Sequence, residues 1–301
     1  MNLPDLPELL SLRGAARNTR LEAPGRARAA LLGSHHGLQR GRGLEFEEVR
    51  AYVAGDDTRR IDWRVTARRG RPHTKLFREE RERPVWLLVD LQPAMFFGSR
   101  GQLKSTLAVR AAALLAWVAA TDGDRVGAII ANGAELNCLP PRSRERGVLP
   151  ILNALLSMQP RAPAPAAPHG IRDALVNLAP LARPGSLIMA LSDFADPAEA
   201  ADSAWSALAA HSDCRLFWIT DPLEQHGLPD GWFRAGSGKV SWTVDGAEVR
   251  RSWLAAWAAR EARLAAMTQR LRMLLTRLDT GQSVNDALQV PLQTREPSIA
   301  A

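Results

Sequence analysis

The sequence predicts an α/β fold with a mostly parallel sheet flanked by helices. Three apolar runs at 85–90, 186–193 and 214–221 have the continuous hydrophobicity of strands that are buried on both faces. Helical patterns, such as that of residues 104–123, alternate with these runs along the chain. Strands that alternate with helices form right-handed βαβ units, and such units build a parallel sheet.

The remaining elements complete this layout in chain order. A hairpin is expected where Asn132-Gly133 separates residues 125–131 from 135–140. Further predicted elements are a helical stretch at 1–32, helices at 144–158, 171–182 and 197–211, a last strand at 239–246, and a long amphipathic helix from Arg250 to Leu278 followed by a polar tail.

Three regions follow from this pattern. Residues 1–82 form an N-terminal mixed extension, because short β-type runs and turns there do not continue the alternation of strands and helices. Residues 83–247 contain the alternating strands and helices. Residues 248–301 contain the long helix and the tail.

Positive charge is concentrated at the two ends of the chain. The net charge is +7, while residues 1–84 carry 18 Lys and Arg against 12 Asp and Glu, and residues 250–277 carry seven Arg against Glu261. A basic helix suits nucleic acid or an anionic membrane surface. It also suits a solvated face, or contact with the acidic middle of the same chain. The second interpretation is favoured because no aromatic-basic RNA motif or zinc-finger spacing accompanies the charge.

Three aspartates, Asp90, Asp193 and Asp221, each close an apolar strand. In open α/β sheets, ligands bind beyond the carboxyl ends of the strands, where the strand order reverses. If strands 85–90 and 187–192 are neighbours there, Asp90 and Asp193 face one crevice, and a divalent cation such as Mg²⁺ would relieve their repulsion. Aspartate at a strand end also commonly caps a helix or turn, so spacing leaves both interpretations open.

Catalytic motifs give no support to an enzyme. Neither of the glycine-rich phosphate loops occurs between a strand and a helix, and no GxSxG elbow is present. No Ser/His/Asp arrangement can be defended from the positions of the six histidines. The expectation is therefore a protein that is not an enzyme.

The stretch GRGLEFEEVRAYVAGDDTRRIDWRVTARRGRPHTKLFREERERPVWLLVD, residues 41–90, resembles the signature of a bacterial family of uncharacterised proteins, domain of unknown function 58. The resemblance runs from about residue 33 to about 245. The signature residues that we single out are Arg50, Tyr52, Gly55, Asp56, Asp57, Arg59, Asp62, Trp63 and Arg68.

Two roles for this signature remain open. Its aspartates and arginines interleave, which suits a salt-bridged turn that clamps the N-terminal segment onto the sheet, with Tyr52 and Trp63 packed beneath. The same residues also suit a polar surface patch that binds a partner, because exposed loops carry function disproportionately.

The family is similar to von Willebrand factor A domains, which implies a Rossmann-like sheet and a metal-ion-dependent adhesion site. That site uses Asp-x-Ser-x-Ser, a threonine on a second loop and a later aspartate. In this sequence the two aspartates are Asp90 and Asp193, whereas Gln92 and Ala94 stand at the serine positions. The second loop, APHGIRDAL, has no Thr or Ser. The resemblance thus implies a vestigial site with no bound metal, Mg²⁺ being the cation that an intact site would take.

The resemblance implies a non-enzymatic adaptor that works with a MoxR-type AAA+ ATPase and a client protein. We expect a cytoplasmic protein, because no signal peptide or membrane-spanning run is found. One alternative is a metal-dependent hydrolase that uses Asp90, Asp193 and Asp221. The other is a binder of nucleic acid or anionic surfaces, which would use Arg250, Arg251, Arg260, Arg263, Arg270, Arg272 and Arg277.

Overall fold

The chain forms two compact units, residues 27–82 and residues 1–26 with 83–301. A computed structural model describes residues 3–17, 19, 44–53, 58, 61–79, 83–164, 170–195, 200–237 and 240–292. The signature residues Gly55, Asp56, Asp57 and Arg59 lie outside these described residues.

The smaller unit contains an antiparallel pair of strands and a short helix. Strands β1 (Leu44–Ala51) and β2 (His73–Glu79) pair with a register shift between Phe46 and Glu48. Helix α2 (Trp63–Arg69) precedes β2 and ends at Gly70, whose φ of +66° places it in the left-handed region that favours glycine. The described part of the smaller unit thus contains both α and β structure.

The larger unit is built around a six-stranded sheet. Its strands are β3 (Pro84–Asp90), β4 (Arg125–Ala131), β5 (Leu136–Ser143), β6 (Leu187–Ser192), β7 (Asp213–Thr220) and β10 (Leu274–Asp279), in the order β10-β7-β6-β3-β4-β5. All neighbours pair in parallel except β4 and β5, which form the expected antiparallel hairpin. The prediction of a mostly parallel sheet flanked by helices is confirmed.

Helices cover both faces of this sheet. They are α1 (Leu6–Ala16), α3 (Lys104–Thr121), α4 (Glu145–Met158), α5 (Ile171–Leu178), α6 (Ala200–Ala209), α7 (Pro222–His226), α8 (Gly246–Leu271) and α9 (Val284–Leu292). Alternate residues of β3 point to opposite faces, so Leu87 joins a core with α1, α3, α4 and α9, whereas Leu88 joins a core with α5, α6 and α8. Burial on both faces explains the continuous apolar runs.

The predicted helix from Arg250 to Leu278 is wrong in its last turns. Helix α8 ends at Leu271, where Arg272 adopts a left-handed conformation with φ of +53°, and Leu274–Asp279 continues as edge strand β10 beside β7. Leucine and arginine are good helix formers, so local propensity favours the helix, and pairing with β7 overrides it. Part of the expected polar tail is also helix α9, whose Val284 and Leu288 are buried.

The N-terminal helix belongs to the larger unit, which differs from the expected region 1–82. Leu9 of α1 is fully buried, and its carbonyl accepts a hydrogen bond of 3.0 Å from Trp117 Nε1 of α3. Helix α1 therefore packs on the sheet domain, although residues 27–82 separate the two in the sequence.

A second hairpin stands apart from the main sheet. Strands β8 (Trp232–Ser237) and β9 (Val240–Asp245) pair only with each other among the strands of the described chain. The expected last strand is thus present, but it belongs to this two-stranded hairpin. Among the described helices, none combines the length and the apolar character that crossing a membrane requires.

Candidate functional site

The carboxyl edge of the main sheet holds a cleft at the point where strand order reverses. From β3 the chain moves to β4 on one side and later returns to β6 on the other, so β3 and β6 are parallel neighbours. A cleft of about 340 Å³ opens beyond their ends and is lined in part by Asp90, Gln92, Gly170, Asp173, Ser192 and Asp193. This is where open α/β sheets bind ligands.

Asp90 lies at the floor of the cleft and is 2% exposed. Its carboxylate accepts hydrogen bonds from the backbone N–H of Gln92 at 3.1 Å and from Ser192 Oγ at 2.6 Å. Burial raises the pKa of Asp90 to about 6, and the neighbouring charge of Asp193 adds to the rise, although these hydrogen bonds lower it in part. Asp90 therefore has a pKa about two units above that of an ordinary aspartate, which is 3.8.

Asp193 is paired with an ammonium group. Its Oδ2 lies 2.7 Å from Lys104 Nζ, the first residue of α3, and Oδ1 accepts a hydrogen bond of 3.1 Å from the Ala195 N–H. Lys104 also lies 2.9 Å from Glu224 Oε1 on α7. Burial by itself lowers the pKa of Lys104, but Asp193 and Glu224 outweigh burial and hold that pKa above its ordinary value. The ammonium is therefore charged.

These residues do not fit the divalent cation that an intact adhesion site would hold. Each carboxylate oxygen of Asp90 and Asp193 already accepts a hydrogen bond from the protein. The side-chain amide of Gln92 hydrogen-bonds to Asp90, so Gln92 is engaged there. Within the described residues no group of three or more His, Cys, Asp or Glu side chains is placed to hold a metal. The ammonium of Lys104 already supplies Asp193 with a positive partner.

Asp221 is a buried capping residue and is not part of this cleft. It is the N-cap of α7 and forms a capping box with Glu224. Its carboxylate also accepts hydrogen bonds from the Ser99 N–H at 2.8 Å, from Ser99 Oγ, and from Thr280 Oγ1 at 2.6 Å. The capping interpretation of a strand-end aspartate thus holds for Asp221, and the hydrolase set of three aspartates is not assembled.

Three arginines of helix α8 contact their own chain. Arg250 pairs with Asp230, and its Nε donates to the Leu228 carbonyl at 2.8 Å. Arg260 Nη1 lies 3.8 Å from Glu224 Oε1, which is an ion-pair distance but too long for a hydrogen bond. Arg263 donates to the Phe194 carbonyl at 3.4 Å. Arg250 and Arg260 thus face acidic residues of the same chain.

The signature residues in the smaller unit have local structural contacts. Asp62 caps helix α2 and accepts hydrogen bonds from the N–H groups of Arg64 and Val65. Arg50 donates to the Ala51 carbonyl, Tyr52 is half-buried, and Arg68 is exposed. The expectation that Trp63 packs beneath the turn is wrong, because its side chain is 71% exposed. An N-cap aspartate fixes the backbone of the next residue but not where its side chain points.

Lys104, Glu224 and Ser192 were not singled out by the sequence analysis. The chain has three lysines among its 39 basic residues, and Lys104 is the one that opens a strongly apolar helix. A lysine at a helix N-terminus opposes the helix dipole. That mismatch is the signal that could have identified it.

We predict opposite effects for the two aspartates of the cleft. Unfolded Asp90 has a pKa of 3.8 and folded Asp90 a pKa of about 6, so the folded state binds more protons between these values and stability falls as pH rises from 4 to 6. Asp90→Asn removes that cost, which is about 3 kcal/mol for a two-unit shift. The variant should therefore be more stable than wild type at pH 7.5, and the advantage should vanish below pH 4.

Asp193→Asn is the matched comparison. It leaves Lys104 with one carboxylate fewer and should lower the free energy of unfolding by about 2–4 kcal/mol at pH 7.5. Urea unfolding at pH 7.5 and pH 4 measures both variants. A large loss of stability in Asp90→Asn at pH 7.5 would show that the fold needs the ionised carboxylate.

The fold and the cleft define an α/β protein whose doubly wound sheet carries an ion-paired cluster at its carboxyl edge. The chain belongs to the family described as protein of unknown function DUF58, whose sequence profile matches residues 48–262. This confirms the family that residues 41–90 indicate.

Named relatives agree with this membership. The uncharacterized proteins Rv1480 of Mycobacterium tuberculosis and Mb1516 of Mycobacterium bovis are each 35% identical over 227 residues, which cover 73% of this chain and 68% of theirs. Among solved structures, a conserved hypothetical protein BatB from Bacteroides thetaiotaomicron has a TM-score of 0.46 at 16% identity, covering 70% of this chain and 95% of that one. An uncharacterized membrane-spanning protein from Vibrio fischeri has a TM-score of 0.23, 16% identity, and coverage of 69% and 96%.

Proposed function

We propose that this protein is a non-enzymatic adaptor that works in the cytoplasm with a MoxR-type AAA+ ATPase in the assembly or maturation of other protein complexes. The partnership rests on the sequence resemblance. The observation that carries the interaction role is the hairpin of β8 and β9, which presents two exposed tryptophans.

The hairpin exposes large apolar side chains on both of its faces. Trp232 is 74% exposed and Trp242 is 53% exposed. Trp242 lies opposite Ala235, three residues after Trp232, so the two indoles point to opposite faces of the ribbon. Tryptophan is enriched among the few residues that dominate protein interfaces. The hairpin therefore has the chemistry of a protein contact.

The carboxyl-edge cleft supports an adaptor in a different way. Both of its strand-end aspartates are engaged within the protein, because Asp193 pairs with Lys104 and Asp90 accepts hydrogen bonds from Gln92 and Ser192. A catalytic acid or base must be within reach of a substrate proton. Carboxylates that are held by contacts within the protein stabilise the carboxyl edge of the sheet, and such contacts do not favour proton transfer to or from a substrate.

We further propose that the larger unit is a von Willebrand factor A-like domain with a degenerate adhesion site. Three features support this assignment. Asp90 ends the first strand of the main sheet, Asp193 follows the neighbouring strand β6, and Gly170 at the start of α5 brings the second loop to the same cleft. In this degenerate site Asp193 is paired with the ammonium of Lys104, and Asp90 accepts hydrogen bonds from Gln92 and Ser192.

The interaction is tested with the purified chain and a purified MoxR-type ATPase from the same organism. Binding is measured by biolayer interferometry with ATP analogue, with ADP and without nucleotide. We expect binding in one nucleotide state, and Trp232→Ala should weaken it by a factor of ten or more if the hairpin is the contact. Val176→Ala is the control, since Val176 is an exposed apolar residue of α5 and does not belong to the hairpin.

A tagged pull-down from native cytosol, with and without ATP, then identifies the client among co-purifying proteins. No binding to the ATPase in any nucleotide state would contradict the proposal. Recovery of nucleic acid alone, with an affinity that falls steeply as salt rises, would instead favour the basic helix as the binding surface.

A further inference from the structure

We propose that Lys104 is a built-in cation that supplies Asp193, in place of a divalent metal, with its positive partner at the carboxyl edge of the sheet. Its ammonium holds Asp193 and Glu224 together, so the edge is organised without a metal ion. The inference is independent of the adaptor role, because it concerns what neutralises and fixes this edge.

The geometry of Lys104 is that of a bridging cation. Nζ lies 2.7 Å from Asp193 Oδ2 and 2.9 Å from Glu224 Oε1, and the face of the Phe97 ring lies 5.6 Å away. The lysine is 2% exposed and Asp193 is 5% exposed. One buried positive charge thus joins the loop after β6 to helix α7, as a metal with ligands from two elements would.

The position of Lys104 is unfavourable without its carboxylates. A lysine in the first turn of a helix opposes the positive end of the helix dipole, and burial removes the hydration of the ammonium. Both effects disfavour a charged lysine at this place. The two carboxylates offset both, so the lysine and the acids form one interdependent cluster.

The cluster also reaches helix α8. Glu224 Oε1 faces Arg260 of α8 at 3.8 Å, and the Glu224 carbonyl accepts a hydrogen bond of 3.0 Å from Trp253 Nε1. Charges therefore alternate along the row Asp193, Lys104, Glu224, Arg260. Glu224 therefore connects the Lys104 cluster at the sheet edge to the long helix α8.

The first measurement is the melting temperature of Lys104→Met. Removal of the ammonium leaves two buried or half-buried carboxylates together, so the melting temperature should fall by on the order of 10 °C. Arg251→Met, which removes one exposed positive charge from α8, is the control and should shift it by less than about 2 °C. A Lys104→Met variant as stable as wild type would overturn the proposal.

The second measurement is the response to millimolar Mg²⁺ or Mn²⁺. Lys104→Ala leaves room for a hydrated cation between the carboxylates, so we expect Mn²⁺ to raise its melting temperature saturably while wild type does not respond. Lys104→Ala/Asp193→Asn should lose this response. Saturable stabilisation of wild type that Asp193→Asn abolishes would show that a metal binds beside Lys104, and would overturn the proposal.

A triple variant tests the proposal if the single Lys104 variants do not fold. If neither single Lys104 variant is recovered folded, Lys104→Met/Asp193→Asn/Glu224→Gln removes the charge of Lys104 and of both its carboxylate partners at nearly constant volume. Recovery of folded protein supports the proposal, because the carboxylates alone were then incompatible with the fold. An unfolded triple variant would assign Lys104 to packing and overturn it.

Discussion

Asp221→Ala should lower the free energy of unfolding by about 3–5 kcal/mol, which is the range for breaking a buried charged network. Asp221 is fully buried and accepts hydrogen bonds from Ser99, from Thr280 Oγ1 at 2.6 Å and from the Leu223 N–H at 2.9 Å. Alanine leaves these donors without an acceptor at the end of β7. Urea denaturation at pH 7.5 measures the loss.

The same network should depend on pH. Burial raises the pKa of Asp221, but the hydrogen bonds from Ser99, Thr280 and Leu223 outweigh burial and hold it below its ordinary value of 3.8. A lowered folded pKa gives stability that is present above pH 4 and is lost as pH falls through the folded pKa. Asp221→Asn should therefore approach the stability of wild type in acid.

Asp230→Ala is the matched control for Asp221→Ala. The Asp230 side chain is 81% exposed and pairs with Arg250, so its removal should cost less than about 1 kcal/mol at any pH. Equal losses of unfolding free energy for the two variants would contradict the assignment of Asp221 as a buried acceptor that holds Ser99 and Thr280 together.

Trp218→Ala should cost about 3–5 kcal/mol, as deletion of a buried aromatic side chain does. Trp218 is 2% exposed, its ring stacks on Trp257 of α8 with centroids 4.7 Å apart, and its Nε1 donates to the Asp193 carbonyl at 3.1 Å. The substitution opens a cavity between the sheet and α8 and removes the bond that holds the Asp193 backbone. Guanidinium unfolding followed by circular dichroism measures it.

Trp232→Ala tests the same chemical change at an exposed position. With 74% of its side chain exposed, Trp232 should contribute less than about 0.5 kcal/mol to stability. A stability loss at Trp232 like that at Trp218 would mean that the hairpin tryptophan is needed for folding, which would weaken its assignment to partner binding.

Periodicity predicts the centre of this fold well. The strand expected at 85–90 is β3 (Pro84–Asp90), and the helix expected at 104–123 is α3 (Lys104–Thr121). Both are buried along most of their length, so burial imposes the same apolar pattern that the sequence displays. The position of Asp90 at the end of a strand is predicted for the same reason, because the apolar run ends at this residue.

The contacts around the cleft could not be predicted from the sequence. Lys104 and Glu224 are 120 residues apart, and only the packing of α3 against the end of β7 brings them within 2.9 Å. The sequence does not predict strand β10, because Leu274 and Arg277 are good helix formers. Only pairing with the neighbouring strand β7 makes them part of a sheet. Pairing with a strand that is distant in the sequence decides whether such a segment is helix or strand, and a short stretch of sequence does not contain that information.

Edge strand β10 has a consequence for the order in which the chain reaches its native state during synthesis. β7 is flanked on one side by β6, but its other neighbour lies at Leu274–Asp279, and Asp221 receives a hydrogen bond from Thr280 just beyond it. Until the ribosome has released these residues, β7 carries an open hydrogen-bonding edge and a buried carboxylate lacks one of its donors. The nascent domain therefore remains unfinished until the residues up to Thr280 have emerged, and a chaperone or a second nascent strand has that interval in which to bind the exposed edge.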